Sequence, residues 1–162
     1  MVRISKASIR IQFGIAAVVT TLLLIASTSR QVQGAFQKGG EATPVFNEYR
    51  GVAIGMTADE VRKKLGNPKD KGASDDSFVF NEKEELRIIY DASHKVVTVS
   101  ADFQSGAAGV PAPKAVLGSD LEAKADGSMW KMVRYPKAGY WVSFSRTAGD
   151  TPLTSIMIQK ID

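Results

Sequence analysis

Apolar and polar positions alternate along much of the chain in a way that predicts short β-strands. Two triplets of apolar residues recur at every second position: Leu86, Ile88 and Tyr90, and later Tyr140, Val142 and Phe144. A period of two gives each segment one apolar face, as in a half-buried strand. Further apolar runs at residues 78–80 and 96–101, separated by polar turns, complete an antiparallel three-stranded meander around the first triplet.

The segment before the first of these strands has the pattern of a single short helix, from Ala58 to Leu65. Val61 and the residue four positions later give it one apolar stripe. Thr57 is a good N-cap, and Glu60, three residues on, completes a capping box. Gly66 can adopt a left-handed conformation that ends the helix. Because two turns of helix are not stable alone, we expect the helix to pack on the sheet that follows.

The C-terminal third of the chain repeats the meander pattern. Residues 79–91 align without a gap with residues 133–145, at an offset of 54 positions. The third strands correspond after a three-residue insertion in the turn between residues 146 and 152, and Ser119 to Glu122 repeats the capping-box pattern. A duplicated unit explains this similarity, and a chance likeness of two amphipathic meanders is the alternative.

These patterns predict an α+β fold, in which a short helix packs on a three-stranded antiparallel meander and the unit is duplicated in tandem. The predicted organisation is a signal peptide or anchor at residues 1–34, a flexible linker at 35–50, a helix-plus-meander unit at 51–104, a linker at 105–113 and a divergent second unit at 114–162.

A resemblance to a known family rests on the helix and its ends. The run Ile54-Gly55-Met56-Thr57, then Glu60-Val61 and Leu65-Gly66-Asn67-Pro68, followed by a short meander, resembles the SmpA/OmlA family of BamE-like lipoproteins in the bacterial outer-membrane assembly machinery. The tandem layout is similar to that of secreted β-lactamase inhibitor proteins. The resemblance implies the helix-plus-meander fold and a protein-binding role. This chain departs from the lipoproteins because it has no cysteine to carry a lipid.

The net charge of +4 comes from the N-terminus. Residues 1–34 contain four basic side chains and no Asp or Glu, so the remaining residues carry 17 basic and 17 acidic groups. A neutral body with interspersed charges lacks the positive surface that binds nucleic-acid backbones. We therefore expect no nucleic-acid partner.

The same N-terminal residues have the pattern of a secretory signal peptide. Basic residues precede an apolar run from Phe13 to Ala26, and the small or medium-sized residues 32–34 before Ala35 fit a cleavage site. The alternative is an uncleaved anchor that contacts the membrane through residues 11–26, although fourteen helical residues span only about 21 Å of a hydrocarbon core of about 30 Å. We expect a periplasmic or secreted protein, or one anchored in the inner membrane.

Residues able to carry out catalysis near neutral pH are scarce. The chain has no cysteine and one histidine, His94, in a polar turn. The adjacent carboxylates Asp75 and Asp76 are the candidate metal ligands, but the sequence around them lacks the alternating oxygen ligands of a calcium loop. The sequence predicts no catalytic residue, cofactor or metal. A hydrolytic enzyme that uses His94 stays a third hypothesis.

Large aromatic side chains concentrate in the second unit, and three of them are the candidate partner-binding residues: Trp130, Tyr135 and Trp141. Alternation directs Trp141 away from the face that carries Tyr140. An outward Trp is either covered by another part of the chain or used for recognition, since Trp and Tyr dominate interface hot spots.

The sequence thus favours an exported, non-enzymatic protein-binding module of the bacterial cell envelope. We expect it to use sheet surface to contact an envelope or secreted protein. The alternative is an inhibitor of a secreted or periplasmic hydrolase, which the tandem layout suggests.

Overall fold

The computed structural model describes residues 43–161. Their elements are, in chain order, β1 (Glu48–Tyr49), β2 (Val52–Ala53), α1 (Ala58–Leu65), β3 (Asp70–Lys71), β4 (Asp75–Asn81), β5 (Glu84–Tyr90), β6 (Val96–Phe103), α2 (Pro113–Leu117), β7 (Met129–Tyr135), a 3-10 turn (Pro136–Ala138), β8 (Tyr140–Arg146) and β9 (Thr154–Lys160). The predicted signal peptide, at residues 1–34, lies outside the described residues.

Seven strands form one antiparallel sheet, in the order β3-β4-β5-β6-β9-β8-β7, while β1 and β2 pair as a separate hairpin. The sheet contains two meanders, β4-β5-β6 and β7-β8-β9, which join where β6 pairs with β9. At this junction Val99 lies opposite Ile158 and Ala101 opposite Ile156. The apolar inner residues of the two meanders therefore form one continuous surface.

The predicted fold class is wrong: the chain does not form a short helix on a three-stranded meander, repeated in tandem. The third strand of a meander leaves a row of backbone N–H and C=O groups without partners, and burial of such groups is costly. Pairing β6 with β9 satisfies both rows at once. It also gives a wider sheet that buries more apolar area than two small meanders would.

The gapless alignment of the two meanders is also wrong. Val79 pairs with Glu85 in the first hairpin. An offset of 54 positions would therefore place Val133 opposite Gly139. Val133 instead lies opposite Val142. The 3-10 turn lengthens the second hairpin and shifts its register by three positions.

The second helix is not where the capping-box pattern placed it. Ser119 to Glu122 forms no helix, and α2 lies upstream of it. Gly118 ends α2 in the left-handed conformation, with φ of 74°. Ser119 would be the N-cap of the expected helix, but Asp120 and the residues after it do not continue in helical turns.

The first helix is confirmed with both predicted ends. Thr57 Oγ1 accepts from the backbone N–H of Glu60 at 3.3 Å, and the Glu60 carboxylate accepts from the backbone N–H of Thr57 at 2.8 Å. Val61 is fully buried. Gly66 has a positive φ of 88°, as expected of a glycine that ends a helix, but its ψ of −160° differs from the left-handed helical conformation.

One face of the sheet, termed the inner face, carries the core. Residues of α1, α2 and the β1–β2 hairpin pack with inner-face side chains such as Leu86 and Ile88, both fully buried. Two residues from the segment predicted as a flexible linker, Phe46 and Tyr49, are partly buried and pack against this core. The ring of Tyr49 meets that of Phe103 edge to face, with centroids 5.9 Å apart. The opposite face of the sheet is termed the outer face.

Candidate functional site

The outer face carries three rows of side chains, each crossing six strands from β4 to β7. The rows are Val79-Glu85-Asp102-Ser155-Ser145-Trp130, Ser77-Arg87-Ser100-Met157-Ser143-Met132 and Asp75-Ile89-Thr98-Gln159-Trp141-Arg134. Among these residues, Thr98 alone is buried. The helices of the described chain direct their buried side chains to the other face. The outer face is therefore the open surface of the sheet in residues 43–161.

The half of this face on β4, β5 and β6 consists mainly of polar groups that bind one another. Arg87 donates from Nε and a terminal nitrogen to one carboxylate oxygen of Asp75, at 3.1 and 2.9 Å. Ser77 Oγ donates to Glu85 at 2.7 Å. Because these groups already bond to one another within the sheet, this half offers few free polar groups to a partner protein.

The other half, on β7, β8 and β9, carries large apolar side chains. We define the Trp–Met patch as Trp130, Met132, Trp141 and Met157. Met132 and Met157 lie directly opposite the small Ser143, one on each side of it, and Trp141 is two residues from Ser143 on the same strand. Trp130 is 61% exposed and Met132 37% exposed. The patch therefore groups two exposed and two half-buried apolar side chains around a hydroxyl.

The structure separates the three residues predicted to bind a partner. Trp130 and the half-buried Trp141 both lie on the outer face, about 14 Å apart along the strand direction, given 3.4 Å per residue. Tyr135 is only 2% exposed and lies on the inner face, where its ring centroid is 5.8 Å from that of Tyr140. Burial raises the pKa of Tyr135. Tyr135 thus belongs to the core.

Sequence reasoning missed the methionines and the serine of the same surface. Met132 could have been found, because it alternates with Trp130 and Arg134 along a single strand. Met157 carries no such local signal, since its place beside the others depends on the pairing of β8 with β9.

Two buried carboxylates on the inner face are candidates for chemistry, and both hold the fold together. Asp76 is fully buried and accepts two bonds from Arg62 of α1, at 2.9 and 3.1 Å, and one from Tyr90, at 2.8 Å. The bond to Asp76 raises the pKa of Arg62, while burial, followed by the bond to Asp76, raises the pKa of Tyr90. The cluster attaches α1 to the sheet.

The second buried carboxylate is Glu84, at the start of β5. It accepts from Nε and Nη2 of Arg50 at 2.7 and 2.8 Å and from the Tyr49 hydroxyl at 2.7 Å. The Arg50 guanidinium lies 3.8 Å above the ring centroid of Phe80. The bond from Arg50 lowers the pKa of Glu84, and burial raises the pKa of Tyr49 to about 12. This cluster holds the β1–β2 hairpin against the sheet.

The residues considered for metal binding and catalysis are not arranged for either. Asp75 and Asp76 point to opposite faces of β4, and each carboxylate accepts hydrogen bonds from an arginine. Within residues 43–161, no three His, Cys, Asp or Glu side chains are grouped so that they could hold a metal ion. His94 is exposed in a tight turn with a positive φ of 55°, and the nearby Asp91 carboxylate accepts the backbone N–H groups of Ser93 and Lys95. His94 is thus a turn residue.

The described residues include no helix long and apolar enough to cross a membrane. Comparisons of the chain with protein-family models, curated proteins and solved structures find no match.

Proposed function

We propose that the chain is an exported, non-enzymatic protein-binding module of the bacterial cell envelope, which contacts its partner through the Trp–Met patch. The observation that carries the proposal is the exposure of Trp130, 61%, beside Met132 on an open sheet face. Trp and Met are enriched at protein interfaces, and Trp often contributes most of the binding energy.

The grouping of these side chains supports the proposal more than the exposure of any one. Single exposed apolar residues are common on soluble proteins and need no explanation, whereas a contiguous exposed group marks an interaction site. On the outer face the large Trp and Met side chains gather on three neighbouring strands, and most polar residues of the other half bind one another. Covering the patch would therefore remove apolar surface from water without breaking internal polar contacts.

The chemistry of the patch specifies the kind of partner surface. Apolar side chains of the partner would fill the space around Ser143, between the two methionines. Hydroxyl groups of Ser143 and Ser145 can bond to polar atoms at the contact, and the exposed Arg134 at one end favours a carboxylate. We expect an aliphatic or aromatic surface with an acidic rim.

Two parts of the proposal rest on sequence. Export rests on the signal-peptide pattern of residues 1–34, and the protein-binding role is supported by the resemblance to the SmpA/OmlA family around α1. The hydrolase-inhibitor alternative was motivated by the tandem layout, which the continuous sheet replaces, and no contact on the outer face favours it.

Affinity capture with the full chain tests the proposal. Immobilised wild-type protein, the double variant Trp130→Ser with Met132→Ser, and the control Val79→Ser are incubated with an envelope fraction. Val79 is 43% exposed on the same face but on the far half of the sheet. A protein retained by the wild type and the control is then titrated against all three. We expect at least a tenfold loss of affinity for the double variant alone. Equal affinity for the three proteins would contradict the proposal.

A further inference from the structure

β7 is a free edge of the seven-stranded sheet. It pairs with β8 over seven consecutive residues, Met129 to Tyr135, without a register shift. Among the described residues, no segment other than β8 forms a backbone ladder with it. A long, regular edge with an apolar outer face can accept another strand, and proteins usually protect such edges with bulges or short strands. The opposite edge of the sheet, β3, has only two residues.

The sequence of β7 is complementary to itself when it is read in the antiparallel direction. We propose that β7 pairs with β7 of a second copy of the chain, about a two-fold axis at Met132, so that two sheets join into one. In this register Trp130 lies opposite Arg134 of the other copy, and the same pair occurs again on the other side of the axis. The outer face at the junction then holds two cation–π pairs around two facing methionines.

Other registers are less favourable for identifiable reasons. Directly opposed residues share one face of a sheet, so the axis must coincide with a residue to keep inner faces together. An axis at Lys131 or at Arg134 places two like charges opposite each other, which is destabilising. An axis at Val133 brings Trp130 opposite Pro136, which has no N–H for the ladder, and separates Trp130 from Arg134. Met132 is the centre that avoids both problems over the full strand.

The inner face of the edge also permits this pairing. Lys131 points inward, which normally discourages a second strand. Here its Nζ donates to Ser119 Oγ of its own chain at 2.8 Å. In the proposed register Lys131 faces Val133 of the other copy, so the two lysines do not lie opposite each other.

The dimer is expected to be reversible. A contact along one seven-residue strand edge buries less than the roughly 1,000 Å² that a stable interface needs, even with flanking side chains. Pairing would also place the Trp–Met patches of both copies next to each other on one outer face. The dimer does not depend on what that face binds.

Charge substitutions at the axis test the proposal with the full chain. We expect sedimentation velocity to show a concentration-dependent dimer for the wild type. Met132→Lys and Met132→Glu should each be monomeric, because each places two identical charges opposite each other. An equimolar mixture of the two variants should recover the dimer, since Lys then faces Glu. Recovery in the mixture excludes misfolding as the cause of the loss.

The control is Val79→Lys, an exposed outer-face position away from β7, which should dimerise like the wild type. Since the chain has no cysteine, Met132→Cys supplies a second readout: mild oxidation should link two copies, whereas Val79→Cys should not form the linked species. A monomeric wild type at near-millimolar concentration would overturn the proposal. So would dimers of Met132→Lys and Met132→Glu alone that match the wild type.

Discussion

Arg62 in α1 and Asp76 in β4 form a two-point ion pair across the junction of helix and sheet. The Nε and Nη2 atoms of Arg62 lie 2.9 and 3.1 Å from the two carboxylate oxygens of Asp76. The Asp76 side chain has no exposed surface, whereas that of Arg62 is 23% exposed. A planar guanidinium that meets both oxygens fixes the orientation of the helix as well as its position.

Replacing Asp76 by Asn should destabilise the protein by about 3 kcal/mol, because it leaves the partly exposed Arg62 without its buried counter-ion. Urea unfolding followed by circular dichroism measures the change. The matched control is Asp75→Asn, whose ion pair with Arg87 is partly exposed and should cost less than about 1 kcal/mol. Equal losses for the two neighbouring variants would contradict a structural role for the buried pair.

Replacing Thr57 by Ala should cost about 1 kcal/mol, because it removes the side-chain acceptor for the Glu60 backbone N–H at the start of α1. The same unfolding experiment measures this change. Thr151→Ala, at an exposed loop position, should stay within about 0.5 kcal/mol of the wild type. If Thr57→Ala were as stable as this control, the capping box would contribute nothing to the folded chain.

We expect loss of the ion pair between Arg50 and Glu84 to make the protein less stable in acid. The bond from Arg50 lowers the pKa of Glu84 below its ordinary value of 4.5. A carboxyl whose pKa is lower in the folded state binds more protons when the chain is unfolded. Its contribution to the free energy of unfolding is therefore fully present above the ordinary pKa. That contribution is lost as the pH falls through the lowered pKa.

Comparison with Glu84→Gln isolates this effect. The variant should be less stable by about 2 kcal/mol at neutral pH, because a charge-assisted bond is lost at a buried site. The difference should shrink as the pH falls from neutral through the lowered pKa of Glu84, since the wild-type carboxyl then becomes neutral as well. Denaturant midpoints measured across this range give the result. A difference independent of pH would rule out the ion pair as its source.

Trp130 and Tyr135 lie five residues apart on β7, and truncating them should change the free energy of unfolding by very different amounts. Tyr135→Ala should cost about 3 kcal/mol, because the side chain is buried in the core. Trp130→Ala should change the stability of the monomer by no more than about 0.5 kcal/mol, because the side chain is mostly exposed. Thermal unfolding at low protein concentration distinguishes them. A large loss for Trp130→Ala would show that this Trp supports the fold.

Local patterns predicted the parts of this structure that depend on neighbouring residues. The bounds of α1 follow from the cap at Thr57 and from Gly66, and alternation placed Trp141 on the opposite face from Tyr140. The pairing of β6 with β9 was not predictable in this way. Val99 and Ile158 are inward apolar residues in separate meanders as well as in one joined sheet, so their pattern is the same in both folds.

Only part of the candidate surface was predictable, because local patterns do not describe long-range packing. Trp130 and Trp141 stand out by residue type, and the face each occupies follows from alternation. Tyr135 has the same chemistry, but its burial depends on the packing of Tyr140 and the core, which no local pattern describes.

The position of β9 determines when the sheet can form during synthesis. β9 is the last of the seven strands in chain order, yet it lies between β6 and β8 in space. Until residues 154–160 leave the ribosome, β4-β5-β6 and the β7-β8 hairpin are separate pieces with open edges. Joining them brings together residues such as Val99 and Ile158, nearly sixty positions apart, which slows folding. The nascent chain therefore has a window in which its strand edges are exposed to aggregation or to a chaperone.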